Sequence, residues 1–523
     1  MRPHESGQDP HAPAVGSEDS AETGHLAAAV TTLLPALEQF LRFDPPEQTA
    51  QQRATWIAQL DEPLPQVGAG AGAVLELLRD VVIPHGIRIG APGFSGWVTT
   101  MPTTIPVAAN LAAVVAGAGY QCIQSFNFLE AQALSWLAEL VGLPPTYQGL
   151  FTSGGSVANL VGLGAARQQA AERLGLDPAR DGLETLPKPR IYASTEVHHV
   201  VYRAAAVLGL GRRAVVTIPT DEALRLDVVA LADRLRQDRA AGCAPVAVVA
   251  NAGTVNTGAV DPIPDLGKFC REEEVWLHVD GAYGLLGVLD PRAAPWYGDL
   301  SVADSLTIDP HKWLAAPIGC GAVFVRDGGL LGRAFTLESA AYIEGSQPGY
   351  AEAGPLTSQF DAFGYLFHHF GVEQSAPSRG VQVWAILKEL GVEGVRARIC
   401  RHNSYAHHLA ERVQASPVLE LLAPVTLSIC CFRYVPSALR GRRDTEATET
   451  INHLNRAVLK QIRARGRCVP SATTIGGVFA IRPCYINPRT TLADVDVLVE
   501  EAEACGAEVW AQFASRKKKQ ARD

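Results

Sequence analysis

The sequence contains ten cysteines, yet no CxxC pair and no Cys/His spacing of the kind that holds a metal ion. A chain of 523 residues is also large enough to bury a core without disulfide staples. The scattered cysteines therefore read as free thiols in a reducing cytoplasm, and no metal is expected. Long apolar runs are missing too. The Ala- and Gly-rich stretches are broken by polar residues, so no transmembrane helix is predicted. Residues 1–24 lack the apolar core of a secretory signal and are rich in Gly, Pro, Ser, Asp and Glu, the composition of a disordered leader. Positive charge is in short supply. A net charge of −9 and a pI near 5.9 argue against non-specific nucleic-acid binding. The Arg516–Lys519 run reads as part of a solvated basic tail, 514–523. No internal repeat or low-complexity block interrupts the remainder.

What is present describes a well-packed globular protein of two or three domains, with 47% hydrophobic and 19% charged residues. Apolar periodicity predicts helices over 25–43, with Pro35 inside, and over 71–82, joined by a Pro- and Gly-containing connection. This segment, 25–105, is too small to form a core alone and is expected to pack on the main body or on a second subunit. From 106 to 378 the pattern alternates. Helices are predicted over 128–142 and from Ser156 to Arg173. Strand-like runs follow at Arg190–Ala193, Ala214–Ile218, Val246–Ala250, Val275–Val279, Ser305–Ile308 and Ala322–Val325. Apolar runs with helices between them indicate an α/β domain with a mostly parallel sheet covered on both faces. A helical stretch at 379–415 leads into a smaller C-terminal α+β domain, so that 379–513 form the last folded part.

Within that frame the run Asp309-Pro-His-Lys-Trp313 delivers Lys312 from an apolar strand into a glycine-punctuated turn. Taken alone it fits two descriptions, a lysine snorkelling beside a strand and an amine poised for a Schiff base. Four other segments sit where open sheets place ligands. Thr152-Ser-Gly-Gly-Ser-Val-Ala-Asn159 opens a helix, so N–H groups at Gly155 and Ser156 can face an anion; a plain N-cap at Ser153 or Ser156 fits equally well. In Trp276-Leu-His-Val-Asp-Gly-Ala-Tyr283 a strand ends in Asp280, beside small residues such as Ala282 that let a flat ring lie close. A turn-capping aspartate is the alternative there. His198 follows a strand and suits stacking on an aromatic ring, although His199 matches on composition. Asn251-Ala-Gly-Thr254 offers a hydroxyl or a simple turn. Together these make a phosphate cradle, a ring stacker, a hydroxyl donor, an acid for a ring nitrogen and a buried amine, the set that pyridoxal phosphate requires.

On these motifs (Leu150-Phe-Thr-Ser-Gly-Gly-Ser-Val-Ala-Asn-Leu160, His198, Asn251-Ala-Gly-Thr254, His278-Val-Asp-Gly-Ala-Tyr-Gly284 and Asp309-Pro-His-Lys-Trp313) the chain resembles the group II pyridoxal-phosphate-dependent decarboxylases, the family of aromatic amino acid and glutamate decarboxylases. The resemblance spans about 70–505. It implies the aminotransferase-like fold type I and a homodimer with shared active sites, acting on a small amino acid. It makes Lys312 the Schiff-base lysine, sets Asp280 on the pyridine nitrogen and stacks His198 on the ring. It gives the phosphate to Gly155, Ser156 and His311, with Thr254 and Ala282 beside the cofactor. Decarboxylation of an L-amino acid to the amine is the implied reaction.

The family's mobile loop is expected within 335–375 and carries a proton-donating tyrosine. Counting forward from Lys312 matches Tyr342; counting back from Trp384 points to Tyr365 and Phe367. Tyr342 is preferred because it needs no large insertion. Phe367 at that place would instead imply oxidative formation of an aldehyde, with His368 as the acid. A non-catalytic cofactor-binding scaffold is a further alternative, but would be expected to lose the lysine or the aspartate. The 91–105 and 120–128 segments and the loop are expected to build the substrate pocket, with Phe94, Trp97, Phe126 and Phe128 leaning it toward an aromatic or apolar side chain. Arg482 resembles the family's C-terminal arginine and is a candidate for a carboxylate or for a structural ion pair.

Overall fold

The computed structural model describes residues 26–43, 50–117, 125–184, 186–335 and 367–520. They fall into two compact units that divide between Arg88 and Ile89. The first unit holds helices Leu26–Phe40, Ala50–Leu60 and Gly70–Leu77, the last running into a π-helical turn at Leu78–Val82. The helix at Ala50–Leu60 occupies what reads in the sequence as a connection. Leu26–Phe40 buries none of its residues, so the apolar positions that give it helical periodicity, such as Leu34 and Leu37, remain exposed.

The second unit contains two sheets. Its strands are β1 (Phe94–Ser95), β2 (Gln148–Thr152), β3 (Pro189–Ser194), β4 (Val215–Ile218), β5 (Ala244–Asn251), β6 (Trp276–Asp280), β7 (Ser305–Ile308), β8 (Gly321–Val325), β9 (Leu419–Leu421), β10 (Phe432–Tyr434), β11 (Val469–Ile475) and β12 (Val478–Arg482). The large sheet has the order β2-β8-β7-β6-β5-β3-β4. Its β7-β6-β5-β3-β4 part is parallel, and β8 runs antiparallel to both β2 and β7. β6, β7 and β8 are buried throughout, including the polar His278, Ser305 and Thr307, as expected of strands covered on both faces. Helix Gly155–Glu172 covers this part of the sheet. Its Gly162 lets it approach closely, since a Cβ there would stand 2.7 Å from the His278 ring.

The small sheet has the order β1-β11-β12-β10-β9. Its strand β1 lies in the segment assigned from sequence to the N-terminal part; it pairs in parallel with β11, with Phe94 opposite Val469. That strand belongs to the second compact unit, and two residues carry too little periodicity to be read in isolation. Helix Gly380–Ala415 spans both cores of this unit: Val383, Ile386 and Ile399 pack with the large sheet, and Ala406, Leu409 and Val413 with the small one. Helix Leu492–Gln520 continues through the start of the expected basic tail.

The parallel strands β3, β5, β6 and β7 all end at one edge of the large sheet. Asn251 and Asp280 are the last residues of β5 and β6, and His198 and Lys312 follow β3 and β7 within four residues, so one crevice collects all four.

Candidate active site

A cavity of about 560 Å³ lies at this edge. Lys312 enters it from the turn after β7. The next residue, Trp313, is fully buried, stacks on Tyr283 with ring centroids 5.3 Å apart, and donates its indole N–H to His402 Nδ1 at 3.0 Å. That anchor pins the turn and leaves Lys312 lining the cavity. Its Nζ is 2.9 Å from Asp309 Oδ2, so the amine has a buried anionic partner. Asp309 belongs to the quoted motif, but its side chain carried no expected role.

The glycine turn lies opposite. Gly154 takes φ 134°, a conformation that a side chain would strain, and serves as N-cap of helix Gly155–Glu172 without any side-chain cap. Neither Ser153 nor Ser156 caps it. The first-turn N–H groups of Gly155 and Ser156 precede any intrahelical acceptor. A Cβ on Gly155 would stand 2.6 Å from Asp309 Oδ2 and 3.0 Å from the Ala282 methyl, so only glycine fits here. His311 closes the same corner. Its Nδ1 donates to the Cys320 carbonyl at 2.7 Å, which leaves Nε2 as an acceptor when the ring is neutral.

Asp280 terminates β6 with Asn251 and Thr307 directly beside it on the neighbouring strands. Its Oδ1 accepts from the Ala282 N–H and the Thr307 hydroxyl, each at 3.1 Å, and among the described residues it forms no salt bridge. His198 lines the cavity too. Its Nδ1 accepts from the Val200 N–H at 3.3 Å, and its ring centroid is 4.2 Å from that of His199, which stands at the helix start outside the cavity lining. Burial lowers the pKa of both His198 and His311, so each favours its neutral form.

Thr254 is not brought into the cavity. Its hydroxyl is 3.0 Å from Thr257 Oγ1 and accepts from the Ala259 N–H at 3.2 Å, so it braces its own turn. Asn251 and Gly253 of the same segment line the wall in its place. Trp97 lines the cavity and Phe94 packs behind it at 5.9 Å, whereas Phe126, Phe128 and Phe367 lie outside the lining. Arg482 reaches the wall from the small sheet. Its guanidinium donates to the carbonyls of Trp97, Val255 and Asn256 and forms no ion pair among the described residues. Tyr342, Tyr365, the 118–124 stretch and the side chain of His368 lie outside the described residues.

The comparisons with known proteins agree with this geometry. Residues 56–435 match the pyridoxal-dependent decarboxylase conserved domain. An aromatic-L-amino-acid decarboxylase of Bacillus atrophaeus is 33% identical over 86% of this chain and 88% of its own length. An L-2,4-diaminobutyrate decarboxylase of Rhizobium meliloti (strain 1021) is 30% identical over 82% of this chain and 81% of its own length. Among solved structures, that of Oryza sativa TDC with PLP and tryptamine superposes with a TM-score of 0.81 at 21% identity, covering 95% of this chain and 99% of that one. The fold is therefore that of a fold type I pyridoxal phosphate enzyme. The chain belongs to the pyridoxal-dependent decarboxylase family, and it is an amino acid decarboxylase that uses pyridoxal phosphate. The residues present fit that cofactor: an amine on one wall, a buried carboxylate without a cation on another, and a helix start that a single Cβ would obstruct.

Burial also holds His278 neutral down to about 4 and lowers His402 well below the ordinary histidine value. In the unfolded chain both titrate near 6.5. Between that value and about 4 the unfolded chain binds more protons than the native one, so stability is full above 6.5 and is lost as pH falls through the window. Melting temperatures measured from pH 7 to 4 should decline, and His278→Gln should flatten the decline; equal slopes in the two proteins would refute the attribution.

Proposed function

We propose that the enzyme removes the α-carboxyl group of an L-amino acid with an aromatic or apolar side chain, releasing CO2 and the amine. The observation that carries the side-chain preference is the cavity wall. Away from the glycine turn it is built by Trp97, Val98, Val255 and Ile318, while its two carboxylates, Asp280 and Asp309, stand beside Ala282, Gly155 and Lys312. No carboxylate in the described lining is left for a cationic side chain. The polar Asn256 and Thr473 satisfy each other at 2.7 Å. The aromatic-L-amino-acid decarboxylase of B. atrophaeus supports the same substrate class.

When bound, the cofactor supplies an electron-withdrawing ring for the electrons freed as CO2 departs. The protein's part is assigned as follows. Gly155, Ser156 and His311 hold the phosphate, His198 stacks on the ring, Ala282 leaves room for it, and Asp280 keeps the ring nitrogen protonated. Lys312 carries the reactive amine, and Asp309 holds that amine whenever it is free. Arg482, a buried cation without a carboxylate partner among the described residues, biases the wall toward the substrate's carboxylate. Tyr342 donates the final proton to carbon.

Twenty amino acids assayed for CO2, with product masses and oxygen uptake followed together, test the reading. Aromatic substrates should exceed 2,4-diaminobutyrate and glutamate by about a hundredfold, and the product should be the amine without oxygen uptake. Preference for a charged side chain overturns the substrate class, and peroxide with an aldehyde product overturns the amine-forming reaction. Tyr342→Phe should suppress amine formation about a hundredfold or more, the usual worth of a positioned acid. Unchanged turnover would remove Tyr342 from the mechanism.

The reading includes a homodimer, housed in a reducing cytoplasm that suits the nine free thiols among the described residues. Helix Thr104–Ala116 exposes Ile105, Val107, Leu111, Val114 and Val115, and its entry is tied to the lysine turn by the Thr103 N–H donating to the Ala315 carbonyl at 3.2 Å. Trp97 and Ile318, 58% and 69% exposed, continue the apolar surface to the cavity. A second copy of the chain covering this face would complete the site. Val114→Glu should convert the dimer to a monomer in light scattering and lower activity in parallel. A variant that stays dimeric, or is monomeric and fully active, contradicts the shared site.

A further inference from the structure

Behind the glycine turn runs a row of fully buried polar groups. The Trp276 indole N–H donates to Ser305 Oγ at 2.8 Å, and Ser305 Oγ is 2.7 Å from His278 Nδ1. His278 Nε2 is 2.9 Å from Asn159 Oδ1, and Asn159 Nδ2 donates to the Gly155 carbonyl at 2.8 Å. One end sets the direction of every bond. The Gly155 carbonyl only accepts, so Asn159 donates its amide N–H there and its Oδ1 accepts from His278 Nε2. The neutral imidazole is then the tautomer protonated on Nε2, and its Nδ1 accepts from the Ser305 hydroxyl, which itself accepts from the Trp276 indole. This row needs a neutral ring, and burial supplies it by lowering the pKa of His278 to about 4.

His278 sits two residues before Asp280 on β6, so both side chains leave the same face of the sheet. One strand thus presents the cavity's acid and, through Asn159, grips the first turn of helix Gly155–Glu172. We propose that His278 is a positioning residue for the cofactor's phosphate: acting through Asn159 it holds the Gly155 carbonyl, and with it the angle at which the N–H groups of Gly155 and Ser156 meet the anion. The inference rests on the placement of the phosphate at Gly155.

The discriminating measurement is the affinity for pyridoxal phosphate against that for pyridoxal, which lacks the phosphate, by equilibrium dialysis of the enzyme loaded with each. His278→Phe removes both hydrogen bonds while filling the space. It should weaken pyridoxal phosphate about tenfold or more, and leave pyridoxal within about twofold. His278→Gln, whose carbonyl accepts from Ser305 and whose amide donates to Asn159, should restore most of the loss. Asn159→Ala, a helix-favouring change, should reproduce His278→Phe, and it decides the matter alone if the phenylalanine variant does not fold. Equal weakening of both ligands would mark a merely structural role, and unchanged pyridoxal phosphate affinity in Asn159→Ala would overturn the proposal. Gly155→Ala separates the two levels. If it weakens pyridoxal phosphate while Asn159→Ala does not, the row fails and the phosphate placement stands; if Gly155→Ala is also silent, both fall.

Discussion

Lys312→Ala should lower CO2 release by at least about a thousandfold and prevent covalent capture of the cofactor. Borohydride reduction of the wild-type enzyme should add the cofactor's mass to the peptide containing Lys312, and the variant should add none. The size of the effect follows from the surroundings of the amine. Trp313, locked between Tyr283 and His402, allows the turn little freedom, so no neighbouring side chain swings into place. Among the described residues Lys312 is also the one lysine that lines the cavity. Losing it costs the covalent attachment and the amine held at 2.9 Å by Asp309. Stability should fall as well, because the substitution leaves Asp309 a buried carboxylate stripped of the amine beside it. Residual turnover within tenfold of wild type, or a reduced adduct on another lysine, would defeat the assignment.

Asp280→Ala should reduce kcat by about 10² to 10³, the usual worth of a preorganised charge facing a centre where charge develops. Asp280→Asn should be nearly as damaging, since it preserves the shape and the Thr307 hydrogen bond but not the charge. Substrate KM should move less than kcat, because in the proposed role the carboxylate would act on the ring and not on the amino acid. Stripped of cofactor, neither variant should melt earlier than wild type: removing a buried carboxylate that forms no salt bridge among the described residues relieves desolvation. Turnover of Asp280→Asn within about threefold of wild type would show that the ring nitrogen does not depend on this group.

Most residues that line the cavity were legible because each ends or follows a strand. A β-strand ending in Asp280, a glycine turn opening a helix at Gly155 and a lysine after Ile308 are local patterns, and parallel strands of one sheet necessarily align their ends. Thr254 lies outside the cavity lining for a related reason. Its segment does end a strand, but a hydroxyl three residues past the end has room to fold back on Thr257, and Asn251 takes the place in the lining. Strand β2 was hidden inside the motif that precedes the helix, and β1, β9 and β10 are too short for period-two alternation to register.

The sequence by itself determined the α/β class, the cofactor and the order in which the cavity-lining segments occur along the chain, because these depend on neighbours within a few residues. Only the tertiary structure decided which distant groups share a wall. Arg482 and Thr473 reach the cavity from the small sheet, Asp309 turns its carboxylate onto Lys312, and Asn159 meets His278 across a helix–sheet interface. Those meetings are fixed by packing and strand register, which no short stretch of sequence contains.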